Sequence, residues 1–227
     1  MMDQIPVMRG FVRLDAVCAD DISVVNSARV SFGRRTETLD EAGEGLIRFL
    51  MREKHGTPFE HNFFRFHVRC PIFVTREWFR HRIGWSYNEF SGRYAEMPND
   101  AWVPDIDAVR SQVGKPGSYT FEPMGVDMSS EVAATIAEAN GHAYRTYKYL
   151  LSLGVAKEVA RTVMPVGSYT EFYASCNARS LMNFCALRNA PSAQREIRLY
   201  AAVLEDVFAQ HMPVTADAWR MNNRVAP

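Results

Sequence analysis

The sequence predicts an α+β fold in a single domain. Residues 11–19 and 62–70 alternate between apolar and polar side chains, as half-buried strands do, and residues 169–175 are a third short extended segment. Other stretches carry apolar residues at the three- and four-residue spacing of helices that pack on a core. The 227 residues can bury a sizeable core, and no internal repeat, low-complexity tract or linker interrupts them. We therefore expect one domain over residues 1–227.

The first half of the chain begins with the strand 11–19. Asp20 or Asp21 is a suitable N-cap for a short helix that continues to Ala28. A basic loop then leads to a second helix over residues 41–54, where apolar residues recur at helical spacing. These elements precede the second strand.

Residues 76–94, which follow the strand 62–70, combine four arginines with several aromatic side chains. A solvated helix does not normally carry such aromatics, and a core helix does not carry the arginines. Pro71 suits the first position of a helix through this segment, and Gly84 is expected to end or distort it. Guanidinium groups bind phosphate and carboxylate through two parallel N–H bonds, so we infer an anionic ligand here.

The second half is predicted to be mainly helical. Residues 95–129 contain four prolines and no sustained period, so we expect a long surface excursion that is either a lid or an oligomer contact. The clearest helix spans residues 130–153, and a second helical piece, 155–164, stops at Pro165.

The last two predicted helices are 177–188 and 193–210. At 100° per residue, the first of them directs Arg188 to one side and Arg179 and Asn183 to the other. Polar residues that are able to bind ligands therefore lie on two faces of one helix. The second helix is amphipathic.

Composition excludes several functional classes. With 26 basic and 26 acidic residues the formal charge is zero, so neither nucleic acid nor a membrane is an expected partner. The N-terminus lacks signal-peptide character, and four dispersed cysteines without a C-x-x-C pair indicate a reducing compartment. We therefore expect a cytoplasmic protein. His55, His61 and His67 are too far apart along an extended chain to share one ion, so no metal is predicted.

The candidate anion-binding residues are two sets of arginines. No phosphate loop, dinucleotide fingerprint or nucleophile-elbow motif is present. The residues alone therefore indicate an α+β protein that binds anionic, aromatic ligands at an oligomer interface. The first set is Arg80, Arg82 and Arg93, and the second is Arg161, Arg179 and Arg188.

Several motifs, in order along the chain, resemble one family. Arg80-His81-Arg82 followed by Asn88-Glu89-Phe90-Ser91-Gly92-Arg93-Tyr94 closely resembles the signature of the flavin-dependent thymidylate synthases, also called thymidylate synthase complementing proteins. The resemblance spans most of the chain. Its other segments are 28–31, 55–61, 160–165, 177–188 and 193–197.

Three positions depart from the family pattern. Eight residues separate Arg82 from Ser91 where seven are usual, and we place the extra residue within 83–86, beside Gly84. Glu77 stands where glutamine is often found. Ser192 occupies a position at which some members have histidine.

The resemblance implies a fold and a reaction. The fold is a central, mainly antiparallel sheet flanked by helices, assembled as a homotetramer with shared active sites. The reaction is the reductive methylation of dUMP to dTMP, with FAD as cofactor and with methylenetetrahydrofolate (the folate one-carbon donor) and NADPH as co-substrates.

The resemblance also implies roles for individual residues. Arg188 matches the catalytic position that favours ionisation of the pyrimidine at N3, and Arg93 and Arg161 are the expected phosphate ligands. Ser91 has no evident base beside it, so it is expected to contact phosphate or base rather than act as a nucleophile. The FAD-binding positions are Ser31, His55, Thr57, Arg80, His81, Arg82, Glu89, Asn177, Arg179 and Asn183; the dUMP-binding positions are Glu77, Arg80, Glu89, Phe90, Ser91, Gly92, Arg93, Tyr94, Arg161 and Arg188.

Two other functional classes compete with this interpretation. A flavin-free thymidylate synthase attacks uracil with a cysteine just after a proline, but here Cys70 precedes Pro71 and no Pro-Cys dipeptide exists. A nucleotide- or RNA-binding module could use the arginine and aromatic sets without catalysis. Bound flavin in the purified protein would separate the classes.

Overall fold

The computed structural model describes residues 3–227, which form two compact units. The first unit contains the chain up to Cys70 together with Val74–Glu89 and Glu171–Pro227. The second unit contains Pro71–Phe73 and Phe90–Thr170. The prediction of one functional domain over the whole chain stays a prediction.

A five-stranded sheet is the main β structure of the first unit. The strand pairs β1–β2, β2–β3 and β4–β7 are antiparallel, which confirms the predicted α+β class with a mainly antiparallel sheet. Three of the strands were expected from alternation or extended character, and the two edge strands were not. In spatial order the strands are β1 (Ile5–Val7), β2 (Gly10–Cys18), β3 (Phe63–Pro71), β7 (Tyr169–Cys176) and β4 (Trp85–Glu89).

Strand β3 shows why the alternation was informative. Phe64 and Phe66 are completely buried on one face, where Phe64 packs 6.3 Å from the ring of Phe208. His67 lies on the other face and contacts Arg13 at 2.9 Å and a glutamate of β7 at 3.1 Å. His67 therefore has a hydrogen-bonded role on the polar face of the sheet.

Capping side chains fix the starts of the first two helices of the first unit. Asp20 and Asp40 accept backbone N–H bonds at the starts of the first two helices, as expected for N-caps. The last helix was not expected from the sequence, and Asp21 accepts N–H bonds in its first turn. The helices are α1 (Asp21–Arg29), α2 (Glu41–Arg52), α6 (Ala178–Arg188), α7 (Arg195–His211) and α8 (Pro213–Met221).

The helix predicted to run from Pro71 towards Gly84 is wrong in its extent. Pro71 ends β3, and the helix that follows, α3, spans only Ile72–Trp78. The Arg-His-Arg segment lies in a turn, so Arg76 and Arg80 do not share a helix face. The chain leaves the helix because β4 gains backbone pairing with β7 and buries Trp85.

Gly84 makes the turn before β4 possible. Its φ is +68°, in the left-handed region, and an added Cβ would lie 2.8 Å from Asn177 Nδ2 and closer still to Ser180 Oγ. We expect Gly84→Ala to lower the free energy of unfolding in urea by at least about 2 kcal/mol, from left-handed strain plus the clash. Gly33→Ala is the control, because Gly33 has φ +62° and open space around it. Equal losses in the two variants would contradict a packing role for Gly84.

The second unit contains a hairpin that the sequence analysis did not find. The excursion 95–129 was expected to lack regular elements, but it contains strands β5 (Arg110–Lys115) and β6 (Ser118–Pro123). Both strands are largely exposed, so neither has a buried apolar face. Helix α4 (Val126–Ser152) also begins earlier than expected, and α5 (Lys157–Ala160) is followed by a short 3-10 helix, Arg161–Val163.

The core of the second unit forms where α4 meets the loop after residue 94. Met97, Tyr147 and Ala160 are buried together, and the Tyr147 hydroxyl accepts the Met97 N–H at 3.0 Å. Within residues 3–227, no helix combines the length and the apolar character that crossing a bilayer requires.

Candidate active site

The first candidate group is centred on Arg188, the last residue of α6. Its Nη1 donates to Glu77 Oε2 at 2.6 Å, and its Nε donates to His81 Nε2 at 3.0 Å. The side chains of Arg188 and Glu77 are 21% and 30% exposed, so the pair is shielded but still reachable from solvent. The guanidinium is thus a fixed positive charge whose orientation is set by two partners.

His81 is the uncharged partner of this group. Burial, and then the charge of Arg188, lower the pKa of His81 to about 4. Because Nε2 accepts a hydrogen bond from Arg188, the ring proton belongs on Nδ1. The ring also packs edge-on against Phe184 at 4.9 Å. At neutral pH, His81 therefore orients Arg188 without adding a second positive charge.

The depressed pKa of His81 makes stability depend on pH. Between pH 6.5 and 4 the unfolded chain protonates this histidine and the native chain does not, so the free energy of unfolding falls as the pH is lowered. Because the ring is only partly buried, solvent screens part of this effect, and the loss over that window is on the order of 1–2 kcal/mol. In urea titrations at several pH values, we expect the free energy of unfolding of His81→Gln to fall less steeply with decreasing pH than that of the wild type. His142 is exposed, so His142→Gln should keep the wild-type pH dependence of the free energy of unfolding. An unchanged pH dependence in His81→Gln would contradict the lowered pKa of His81.

Aromatic packing fixes the turn that carries His81. The Tyr87 hydroxyl donates to the carbonyl of His81 at 2.8 Å, and it lies 3.3 Å from the carbonyl of Trp78. Trp78 is fully buried and lies 4.8 Å from the ring of Phe184. Tyr87 was not among the predicted site residues, although Trp85 and Tyr87, two residues apart, have the spacing of a strand.

Arg80 and Arg82 flank His81 and point outward. Both are exposed, and among residues 3–227 neither side chain takes part in an ion pair. Unpaired guanidinium forks of this kind suit the phosphates of a nucleotide cofactor. Glu89, also predicted to bind FAD and dUMP, ends the adjacent strand β4 and is exposed.

A second predicted cofactor group lies at the start of α6. Asn177 is the N-cap, with its side chain accepting the Ser180 N–H at 2.8 Å, so it has a structural role that the sequence analysis did not foresee. Arg179 Nη1 donates to Glu60 at 2.6 Å, and its Nε donates to the carbonyl of Pro227.

The turn before Glu60 leaves room for Arg179. A Cβ on Gly56 would lie 2.6 Å from Arg179 Cζ, so only glycine lets the guanidinium lie over this turn. His55 and Thr57 flank Gly56 and are exposed, as are Ser31 in a short 3-10 helix and Asn183 on α6. The structure therefore brings His55 and Thr57 to Arg179. Asn183 lies four residues after Arg179 on α6, whereas Ser31 lies on a different segment.

The second unit holds the remaining predicted dUMP contacts. Ser91 Oγ accepts the Arg93 N–H at 3.3 Å, and its expected contact with phosphate or base stays a prediction. Arg93 donates to Glu158 at 2.9 Å and lies 5.9 Å from the Tyr94 ring.

Gly92 permits a close approach by a second arginine. A Cβ on Gly92 would lie 3.2 Å from Cδ of Arg161, and Arg161 itself is exposed. The two arginines proposed for the phosphate, Arg93 and Arg161, thus both belong to this unit. Phe90 begins its segment and is 37% exposed.

Comparisons with known proteins agree with the motifs. The family model described as thymidylate synthase complementing protein matches residues 14–214. A flavin-dependent thymidylate synthase of Streptomyces coelicolor is 44% identical over 95% of this chain and 93% of its own. One of Thermosipho melanesiensis is 43% identical over 93% of this chain and 90% of its own.

Solved structures show the same fold. The crystal structure of a UMP/dUMP methylase, PolB, from Streptomyces cacaoi bound with 5-Br UMP superposes with a TM-score of 0.88 at 41% identity, covering 96% of each chain. A second structure of PolB, bound with 5-Br dUMP, gives a TM-score of 0.89 over 97% of this chain and 99% of the other. The chain therefore belongs to the thymidylate synthase complementing protein family and is an enzyme of the flavin-dependent thymidylate synthase class.

Proposed function

We propose that the protein converts dUMP to dTMP by reductive methylation, with methylenetetrahydrofolate as one-carbon donor and NADPH as reductant. The observation that carries the proposal is the Arg188 group, a shielded guanidinium held by Glu77 and neutral His81. A fixed positive charge of this kind stabilises negative charge that develops on a pyrimidine, and it needs no reorganisation during the reaction.

FAD fits the residues available in the first unit. Bound flavin supplies hydride chemistry that no side chain of this protein provides. Exposed Arg80 and Arg82 offer two guanidinium groups for its phosphates, and Gly56 gives Arg179 space over the neighbouring turn. The other proposed FAD residues are Ser31, His55, Thr57, His81, Glu89, Asn177 and Asn183.

For dUMP, we propose that different arginines bind the base and the phosphate. Arg188, with Glu77 beside it, faces the uracil, and Arg93 and Arg161 hold the phosphate. Arg93 must exchange its exposed contact with Glu158 for the ligand, which costs little because surface ion pairs contribute only about 0–1 kcal/mol. Arg80, Glu89, Phe90, Ser91, Gly92 and Tyr94 complete the proposed dUMP set.

Cysteine chemistry supports the flavin-dependent class over the flavin-free one. Three of the four cysteines, Cys70, Cys176 and Cys185, are buried, and burial raises the pKa of each thiol, whereas Cys18 is exposed. A buried thiol with a raised pKa is a poor nucleophile at neutral pH. Dispersed free thiols also support the proposed cytoplasmic location. The proposed assembly is a homotetramer with shared sites, as in the family pattern.

A second substrate, UMP, is favoured by one comparison. The solved structure at 41% identity is named a UMP/dUMP methylase and was determined with 5-Br UMP. We therefore propose UMP as a second methyl acceptor beside dUMP.

The decisive experiment measures tritium release from C5-labelled dUMP or UMP. We expect a yellow protein with flavin absorbance near about 450 nm and tritium release that requires both NADPH and methylenetetrahydrofolate. A colourless monomer that does not bind added FAD would overturn the proposal and favour a non-catalytic binding module. Tritium release from dUMP but not from UMP would exclude UMP as a substrate.

A further inference from the structure

The last turn of α6, which carries Arg188, is held by a second network, separate from Glu77 and His81. Its centre is Glu205 of α7, a carboxylate that is only 6% exposed. Arg224 donates to both carboxylate oxygens, at 2.8 and 2.6 Å, and Asn189 Nδ2 donates to one of them at 2.9 Å. A bidentate pair with a third donor defines the geometry of this carboxylate closely.

The same network reaches the backbone on both sides of Arg188. Arg224 Nη2 donates to the carbonyl of Cys185 at 3.1 Å, and the Asn189 N–H donates to that carbonyl at 3.0 Å. Asn189 follows Arg188 directly, so residues before and after Arg188 are tied to one carboxylate. A cation at the carboxyl end of a helix is also stabilised by the helix dipole.

Arg224 itself is held firmly. Its guanidinium lies 4.5 Å from the ring centroid of fully buried Trp219. Its backbone adopts φ +59°, a left-handed conformation that costs energy for arginine and persists only where surrounding contacts determine it. Although burial acts to raise the pKa of Glu205, hydrogen bonds from Arg224 and Asn189 hold that pKa below its ordinary value. The pair is therefore charged at neutral pH.

We propose that Glu205 and Arg224 are positioning residues that set the direction of the Arg188 side chain by fixing the last turn of α6. The proposal rests on the proposed role of Arg188 in contacting the uracil of dUMP. Neither residue belongs to the predicted ligand-binding sets, and their action passes through the helix backbone. Without the network, the end of α6 frays and the guanidinium of Arg188 no longer meets the base at one angle.

The test is a double-mutant cycle read by calorimetric binding of dUMP to the FAD-loaded protein. We expect Arg224→Gln to weaken dUMP binding about three- to tenfold in the wild-type background and to have no further effect in an Arg188→Ala background. Arg220→Gln is the matched control. Arg220 approaches the same carboxylate at 3.5 Å, but no hydrogen bond joins it to the end of α6 within residues 3–227. It should leave dUMP affinity unchanged.

Three outcomes would overturn the proposal. Equal weakening by Arg224→Gln in both backgrounds, or an Arg224→Gln protein that binds dUMP as tightly as wild type, would overturn the positioning role alone. A wild-type protein that fails to bind dUMP would overturn the proposed function and this inference with it. If Arg224→Gln does not fold, Asn189→Ala removes one hydrogen bond to Glu205 and should weaken dUMP binding about twofold, again only when Arg188 is present.

Discussion

Arg188→Ala is expected to abolish measurable dTMP formation while FAD remains bound. Removing one preorganised charge from a developing anion typically costs about 10²–10³ in kcat. The change also leaves Glu77 without its 2.6 Å partner. We therefore expect a modest loss of stability together with the loss of turnover, and no change in the visible flavin spectrum.

The measurement is tritium release from labelled dUMP at saturating FAD, with flavin content and oligomeric state determined in parallel. Arg188→Lys keeps the charge but loses the two-pronged geometry, so it should retain partial activity. Arg220→Ala, on the exposed side of α8, should be as active as wild type. Near-normal turnover by Arg188→Ala would remove Arg188 from the chemistry.

Local patterns predicted the elements whose side chains alternate between core and solvent. Strand β3 and helix α6 were both expected, because Phe64, Phe66, Leu181 and Phe184 are completely buried at strand and helix spacing. The hairpin β5–β6 was missed for the same physical reason. Its strands bury almost nothing and are joined by backbone pairing, so no sustained apolar face distinguishes them in the sequence.

The error between Pro71 and Gly84 has a different cause. Pro71 suited the first position of a long helix that Gly84 would end, but tertiary contacts overrode this local preference. Trp85 and Tyr87 stack 5.7 Å apart on β4, and Trp85 lies 5.4 Å from Phe184 of α6. The pairing partner of β4 is β7, which lies 83–91 residues further along the chain, so local patterns within the segment could not predict the strand.

The residues of the candidate site were likewise predicted only in part. Family motifs named Arg188, Glu77 and His81 as separate positions, and the structure joins them although 111 and 107 residues separate Arg188 from its two partners. Glu205 and Arg224 belong to no motif, and only folding shows that they meet at the end of α6. A sequence motif therefore marks the groups that contact ligands better than the groups that hold them in place.

Arg82→Ala is expected to weaken FAD retention far more than dUMP binding. The Arg82 side chain is exposed and lies in the turn after α3, and no ion pair engages it in the part of the chain that the structure describes. Its loss therefore leaves no buried group unsatisfied and should not alter stability. A charge-assisted contact to a cofactor phosphate contributes about 1.5–3 kcal/mol, which corresponds to a roughly 10- to 100-fold higher dissociation constant for FAD.

The FAD dissociation constant follows from titrating apoprotein and recording flavin fluorescence, and dUMP affinity follows from calorimetry at saturating FAD. Arg76→Ala is the matched control, since Arg76 is an exposed arginine of α3 that belongs to no predicted ligand set. It should change neither constant. If Arg82→Ala instead weakened dUMP binding more than FAD binding, the guanidinium would belong to the substrate, and the proposed division between cofactor arginines and substrate arginines would have to be reversed at this turn.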